Sequence, residues 1–275
     1  MAGKDGVLVV TGIGGIGMAI ARRLGAGRVL LLADVNPASV TAAGDLLRGE
    51  GYHVVEQVTD VSDASSVEAL ARAAAGAGRV EVVVHTAGLS PAQAPADAVI
   101  RVDLLGTALM LDAFGEVMAP RGAGVFISSM AGTLTTVDSD LARRLATTPT
   151  AELLELPELA ELDPGGAYGL AKRANQLRVQ AAAAIWGLRR ARVNSISPGV
   201  ISTPMGAAEL DGPSGEQMRA MITGSPTGRI GTPEDIAAAA DFLTGPYSIF
   251  ITGTDLLVDG GVVASLQTSV FWKRA

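Results

Sequence analysis

The chain has 275 residues and carries 28 acidic against 21 Lys and Arg side chains, a net charge of -7. That balance argues against nucleic acid or an anionic membrane as the main partner, because both select basic surfaces. With no cysteine there is no disulfide, thiolate nucleophile or Cys-ligated zinc, and His53 and His85 alone are too few imidazoles to suggest a metal site, so none is expected.

The length suits one large α/β domain with a sizeable core, and no linker or internal repeat divides it. The N-terminal stretch has one lysine and a short apolar run that meets glycines. It lacks the length and flanks of a signal peptide or membrane span, so the expected location is the cytoplasm.

Val7 to Val10 is a continuous apolar run, the pattern of a strand buried on both faces of a parallel sheet. After the glycine-rich turn at 12–17, Met18, Ile20, Ala21 and Leu24 give a helix an apolar face, and Gly25 or Gly27 ends it. Val29 to Ala33 reads as a second strand, with Asn36 and Pro37 opening a helix that runs to about Arg48. Val54 to Val58 is a third strand, Ser62 is placed to cap a helix through Ala75, and Val80 to Val84 is a fourth strand. A long helix is expected over 97–118, then a strand from Val125 to Ser128.

The stretch from Met130 to Gly166 is rich in leucine and broken by Pro149, Pro157 and Pro164, and it predicts two short helices. A helix carrying Tyr168 then runs to about Trp186, followed by a strand over 192–197, a helix over 233–243 and a last strand over 256–258. The alternation predicts an α/β fold with a doubly wound parallel sheet of Rossmann type, one domain over 1–275, whose ligand lies at the carboxyl ends of the strands.

Two motifs carry chemistry. Gly12, Gly14 and Gly17 satisfy G-x-G-x-x-G between a strand and a helix, where glycines allow a tight turn and the helix N-terminus faces a pyrophosphate. Methyltransferases use similar turns, so the motif alone leaves two readings open. Asp34 ends the second strand, placed to accept hydrogen bonds from an adenosine ribose and to repel a 2′-phosphate. With no Lys or Arg in the turn or just after Asp34, NAD is preferred over NADP. Tyr168 and Lys172, four residues apart, share one helix face, and a nearby ammonium favours phenolate and proton exchange near neutral pH.

In this order the motifs resemble those of the short-chain dehydrogenase/reductase family over nearly the whole chain. Thr11-Gly12 with Gly15-Ile16-Gly17 looks like its cofactor turn, Asp60-Val61 its adenine contact and Ala87-Gly88 its fourth-strand motif. Ser128-Ser129-Met130-Ala131-Gly132 resembles its catalytic-serine strand, and Tyr168 to Lys172 its Tyr-x-x-x-Lys signature. Pro198-Gly199 with Ile201 and Thr203 looks like its nicotinamide-side loop, and Val258-Asp259-Gly260-Gly261 its terminal signature.

The resemblance implies that Tyr168 is the general acid/base and that Lys172 lowers its pKa and holds the nicotinamide ribose. It also implies that Ser129, rather than Ser128, bonds the substrate oxygen. It implies a cofactor site at Gly12, Ile13, Gly14, Gly15, Ile16, Gly17, Asp34, Asp60, Val61, Ala87, Gly88, Tyr168, Lys172, Pro198, Gly199, Ile201 and Thr203, a small-molecule alcohol or ketone as substrate, and a homodimer or homotetramer.

The chain departs from the family pattern at several points. Two residues, Ile13 and Gly14, separate Gly12 from Gly15 where the family has one more. Asp103 replaces an asparagine that supports the lysine through a water, so Asp103 joins the catalytic set. His85-Thr86 replaces paired asparagines; His85 either contacts the cofactor or a neighbouring helix, or is a hydrogen-bonded histidine at a strand end.

Ser129 and Tyr168 are 39 positions apart (168 − 129). An insertion at about 133–165 resembles that of the bacterial 3α-hydroxysteroid dehydrogenase/carbonyl reductase group. It is expected to rebuild a subunit contact, because it leads into a helix that the family commonly uses for dimerisation; the alternatives are a lid over the site and packing only on its own domain. Residues at about 204–224 lie where relatives carry a substrate lid; if Met205, Met218 and Met221 face the site, the substrate is lipophilic or steroid-like. The expected activity is NAD(H)-dependent interconversion of a secondary alcohol and a ketone. The rival readings are a dinucleotide-binding regulator of the same fold without catalysis and a methyltransferase.

Overall fold

In the computed structural model, which describes residues 5–272, seven strands form one parallel sheet. They are β1 (Gly6–Thr11), β2 (Val29–Asp34), β3 (His53–Val58), β4 (Arg79–His85), β5 (Met118–Ile127), β6 (Arg192–Pro198) and β7 (Asp255–Val258). Their spatial order is β3-β2-β1-β4-β5-β6-β7, the doubly wound arrangement expected from the sequence. The order reverses between β1 and β4, which opens a crevice at the carboxyl ends of the strands.

The apolar runs are continuous because each strand is covered on both sides. The helices in chain order are α1 (Gly15–Leu24), α2 (Pro37–Gly49), α3 (Ala64–Ala77), α4 (Ala96–Val99), α5 (Gly106–Val117), α6 (Met130–Leu134), α7 (Ser139–Thr147), α8 (Pro164–Leu188), α9 (Pro204–Asp211), α10 (Gly215–Gly224), α11 (Pro233–Thr244) and α12 (Val262–Trp272). Val7, Val9, Leu31 and Val83 pack with Val67 and Leu70 of α3, Phe114 of α5 and Val179 and Trp186 of α8. The alternate residues Leu8, Val10, Leu30, Leu32 and Val84 pack with Ile20 and Leu24 of α1, Leu47 of α2 and Ile236 and Leu243 of α11.

Three local expectations need correction. Asp63, not Ser62, caps α3: its carboxylate accepts from Ser65 N–H at 2.8 Å, while the Ser62 N–H and hydroxyl are turned back to Asp60 Oδ1. The helix expected over 97–118 is interrupted by a π-turn, Ile100–Leu105, between α4 and α5. β5 begins at Met118 rather than Val125, because Met118 pairs with Val80 before the register jumps to Ala123 opposite Val82. Pro120-Arg121-Gly122 fills that jump, with Arg121 at φ 69.

The inserted segment follows from the end of α6 and contains α7 and, beyond it, two 3₁₀ turns, Thr150–Glu155 and Pro157–Leu159. Pro157 lacks an N–H and stops the first turn from continuing as a helix. Leu145, Leu153 and Leu156 are buried against Val99, Ile100 and Leu104 on one side and Ala167, Leu170 and Ala174 on the other. The leucines therefore fill the face between the π-turn, α5 and α8 of their own chain.

The segment is also tied down by the buried Arg178 of α8, which donates to the carbonyls of Leu145 (3.1 Å) and Thr148 (3.0 Å) and to Thr150 Oγ1 (3.1 Å). Replacing Arg178 by methionine leaves those acceptors unpaired and should cost about 1–3 kcal/mol of stability. Limited proteolysis should then cut between 140 and 158 ahead of other sites; an unchanged cleavage rate would show that the leucines alone hold the segment.

Candidate active site

The glycine turn sits where β1 hands over to α1. Gly12 has φ +81, and a Cβ there would lie 2.4 Å from Ala87 N, so only glycine fits against the end of β4. At Gly17 a Cβ would meet Gly12 O at 2.1 Å. Gly14 is the N-cap of α1 and offers no side chain to its first-turn N–H groups, and nothing lies within 4 Å of where its Cβ would be. The turn therefore presents a bare helix N-terminus to the crevice, as an anion requires. The Asp34 carboxylate shapes the turn by accepting from Ile13 N at 2.9 Å and from Asn36 N at 3.0 Å.

Deeper in the crevice, Lys172 is buried and its Nζ lies 3.1 Å from Asp103 Oδ2 and 3.4 Å from Ile127 O. The π-turn carries Asp103 inward, where it is wholly buried, and Oδ1 accepts from Leu89 N at 2.7 Å. Burial pulls the Lys172 pKa down, but Asp103 and Tyr168 more than offset this and it ends above its ordinary value. The ammonium therefore keeps its proton. Burial raises the Asp103 pKa against the opposing pull of Lys172 and the Leu89 N–H.

Tyr168 lies beside this pair, with Lys172 Nζ 5.4 Å from the ring centroid. The Lys172 ammonium pulls the phenol pKa down, as the resemblance implies, yet the phenol ends above its ordinary value. Burial raises it and Asp103 raises it further, outweighing the downward pull of Lys172 and of the neighbouring Ser129 hydroxyl. Ser129 caps α6, its Oγ accepting from Ala131 N at 3.1 Å, and stays half-buried beside Tyr168. Ser128 is buried and points away, donating to the carbonyl of Lys172 at 2.7 Å.

The other residues expected in the site fall on several elements. A Cβ on Gly88 would lie 3.2 Å from Lys172 Nζ, and Thr203 caps α9 with its methyl 3.0 Å from the Gly15 Cβ position. Gly199 packs against Asp259, Ile201 is buried and bridges to Gly231, and Pro198 ends β6. Ile16 is half-buried on the first turn of α1. Val61 is buried against Gly106 at the start of α5, whereas the exposed Asp60 carboxylate is taken up by Ser62. His85 is a hydrogen-bonded histidine at a strand end: it pairs with Thr11 Oγ1 at 2.7 Å, and burial, with Lys172 adding to it, pushes its pKa down to about 3.

Two interactions of the site were not read from the sequence. Thr86 Oγ1 donates to Gly12 O at 2.6 Å and pins the glycine turn to β4. Glu209 of α9 is half-buried; burial raises the pKa of its carboxyl against the effect of Ser90, and it raises the phenol pKa of Tyr168. The replacement of asparagine in His85-Thr86 was a signal for Thr86; nothing in the sequence pairs Glu209 with Ser90.

Family models match along the chain, a short chain dehydrogenase model over residues 6–139 and one described as enoyl-(acyl carrier protein) reductase over 159–263. Residues 140–158 of the inserted segment fall between the two matches. The chain is 40% identical to the short-chain dehydrogenase/reductase bsc3 of Alternaria brassicicola, over 96% of this chain and 98% of that protein. The chain belongs to the short-chain dehydrogenase/reductase family.

It is also 35% identical to D-threitol dehydrogenase of Mycolicibacterium smegmatis (93% of this chain, 92% of the relative). With 3-alpha-hydroxysteroid dehydrogenase/carbonyl reductase of Comamonas testosteroni the identity is 30% (96% and 99%). The crystal structure of gox2181 superimposes with a TM-score of 0.76 at 25% identity, covering 95% of this chain and 96% of that one. A nicotinamide dinucleotide is the family's cofactor, and the bare α1 N-terminus, the glycine contacts and Asp34 fit one. Among the described residues no cluster of His, Asp and Glu is placed to hold a metal, and no helix is long and apolar enough to cross a membrane.

Asp103 raises the Tyr168 pKa, so Asp103→Asn should lower it. The phenolate absorbance, taken as the difference from the same protein with Tyr168→Phe, should then rise at lower pH in Asp103→Asn than in the wild type. A curve shifted to higher pH would mean that Lys172 loses its own proton when unpaired.

Proposed function

We propose that the chain is an NAD(H)-dependent oxidoreductase interconverting a secondary alcohol and a ketone. The observation that carries the proposal is the convergence of Ser129, Tyr168 and Lys172 at the carboxyl ends of β4 and β5, beside a glycine turn closed by Asp34. Ser129 donates a hydrogen bond to the substrate oxygen and polarises the C–O bond. Tyr168 gives its proton to the carbonyl oxygen during reduction and takes the alcohol proton during oxidation. Lys172 holds positive charge near the phenol and, with Asp103, fixes the floor of the site. The chemistry that a bound nicotinamide supplies is acceptance or delivery of hydride at the substrate carbon.

The preference for NAD rests on Asp34, whose carboxylate stands at the end of β2 and repels a 2′-phosphate. Gly12 to Gly17, Ala87 and Gly88 line the phosphate and ribose side, Asp60 and Val61 the adenine side, and Pro198, Gly199, Ile201 and Thr203 the nicotinamide side. Helices α9 and α10, residues 204–224, are the substrate lid in this reading. A homodimer or homotetramer is supported by Tyr247, Ile249 and Phe250, large apolar side chains left exposed in the segment that precedes the edge strand β7 in the chain. The rival reading, a catalytically silent dinucleotide binder, leaves the Ser129, Tyr168 and Lys172 cluster without a purpose.

Fluorescence titration should show tighter binding of NADH than of NADPH. Asp34→Ala should narrow that ratio by about tenfold, the scale of one lost charged contact, roughly 1.4 kcal/mol. Tyr168→Phe should bind NADH as the wild type does and turn over no secondary alcohol. Turnover by Tyr168→Phe on a wild-type substrate would remove Tyr168 from its role, and failure to bind either dinucleotide would remove the redox reading altogether.

A further inference from the structure

Helix α6 is a single turn, Met130–Leu134, and a helix that short does not hold its own orientation. Ser129 is its N-cap: the Ser129 Oγ accepts from Ala131 N at 3.1 Å, which leaves the O–H to donate to a substrate oxygen. The helix rests on α8 through Gly132, where a Cβ would lie 2.6 Å from the carbonyl carbon of Lys172. Packing of this kind fixes how closely two backbones approach and does little to fix direction.

Direction is supplied by Gln176, which is buried on α8 one turn after Lys172. Its Nε2 donates to Ser197 Oγ at 2.8 Å and to Thr133 Oγ1 at 3.0 Å, with Asp255 Oδ2 at 3.3 Å as a third acceptor. Its Oε1 accepts from Arg173 Nη1 at 2.9 Å, and that bond decides which way round the amide sits. Ser197 is held in turn, its hydroxyl donating to Asp255 Oδ1 at 2.9 Å beside that of Ser195 at 2.6 Å. One amide group thus joins α6 to α8, β6 and β7. Thr133 lies four residues after Ser129, one turn along, so a bond made at Thr133 fixes the rotation that aims Ser129.

We propose that Gln176 is a positioning residue for the reaction: by holding Thr133 against β6 and β7 it fixes α6 and so directs the Ser129 hydroxyl at the substrate oxygen. The inference rests on the oxidoreductase reading above and deepens it by adding a residue that acts through Ser129. Ser129 and Tyr168 have to meet one oxygen atom together from two different helices, and misplacement by about 1 Å costs on the order of a hundredfold in rate. Anchoring α6 to the helix that carries Tyr168 keeps that separation constant. The role needs a donor at position 176 and an acceptor oxygen at 133, because apolar side chains of the same shape would fill the space without setting direction.

The test uses Thr133→Val, which keeps the shape and removes the hydroxyl, Thr133→Ser, which keeps the hydroxyl, and Gln176→Leu, each assayed with cyclohexanol and NAD. In Thr133→Val and Gln176→Leu kcat should fall at least about tenfold with KM for NAD unchanged, because Ser129 acts on the transition state. Thr133→Ser should keep the wild-type kcat. A wild-type kcat in Thr133→Val or Gln176→Leu would overturn the proposal. So would an equal loss in Thr133→Ser, which would trace the effect to the lost methyl group, or a rise in KM for NAD as large as the fall in kcat, which would mark a general loosening of the site.

Crystal structures of the wild type and the two Thr133 variants separate this inference from the redox reading, since they need no turnover. If cyclohexanol is not oxidised, a Ser129 Oγ displaced by about 1 Å or split between two positions in Thr133→Val, and unmoved in Thr133→Ser, would still support the role of Gln176. A Ser129 Oγ unmoved in Thr133→Val, or moved alike in both variants, would refute it. Should Gln176→Leu fail to fold, the two Thr133 variants carry the whole comparison.

Discussion

An ammonium held inside the protein is the constraint around which the rest of the site is arranged. A buried charge is tolerated only when paired and hydrogen-bonded, and Lys172 is met by Asp103 and by the carbonyl of Ile127, while a side chain at Gly88 would crowd its ammonium. Its main chain is fixed as well: Ser128 donates to its carbonyl, and Gly132 packs so closely on that carbonyl that a Cβ would lie 2.7 Å from its oxygen. The end of β4, the end of β5, the π-turn and the start of α6 therefore converge on one residue of α8. Tyr168 inherits its position from that convergence, one turn earlier on the same helix.

What was legible in the sequence was what is local. Strand runs, the Asn36 cap, the glycine turn and the Tyr168 and Lys172 spacing each depend on a few neighbouring residues, and the structure places them as the pattern requires. The π-turn was not legible, because the residues from Ile100 to Leu105 show the same apolar spacing that a plain helix would show; the extra residue per turn appears only once Asp103 reaches Lys172 and Leu89. The early start of β5 was hidden by Pro120 and Gly122, which sit at the register jump inside the strand, although Met118 before them already pairs with β4.

The inserted leucines were visible as a set, but which surface they would cover depends on α4, α5 and α8 coming together, a tertiary event. Arg178 shows the same limit. A cation in the middle of a long helix reads as solvated, and it is buried because the insertion supplies it with carbonyl acceptors.

The replacement of asparagine by Asp103 changes the balance of charge rather than the layout of the site. An asparagine would leave the positive field of Lys172 directed at the phenol, whereas the carboxylate 3.1 Å from the ammonium cancels much of it. The phenol is then governed by burial, and its proton is held more tightly than a free tyrosine holds its own. Glu209 pushes in the same direction. A tyrosine that keeps its proton at neutral pH is already in the state needed to protonate a carbonyl oxygen, and it must lose that proton before it can take one from an alcohol. In the proposed reaction, carbonyl reduction therefore draws on the resting state of this site, and alcohol oxidation draws on a phenolate that grows as pH rises.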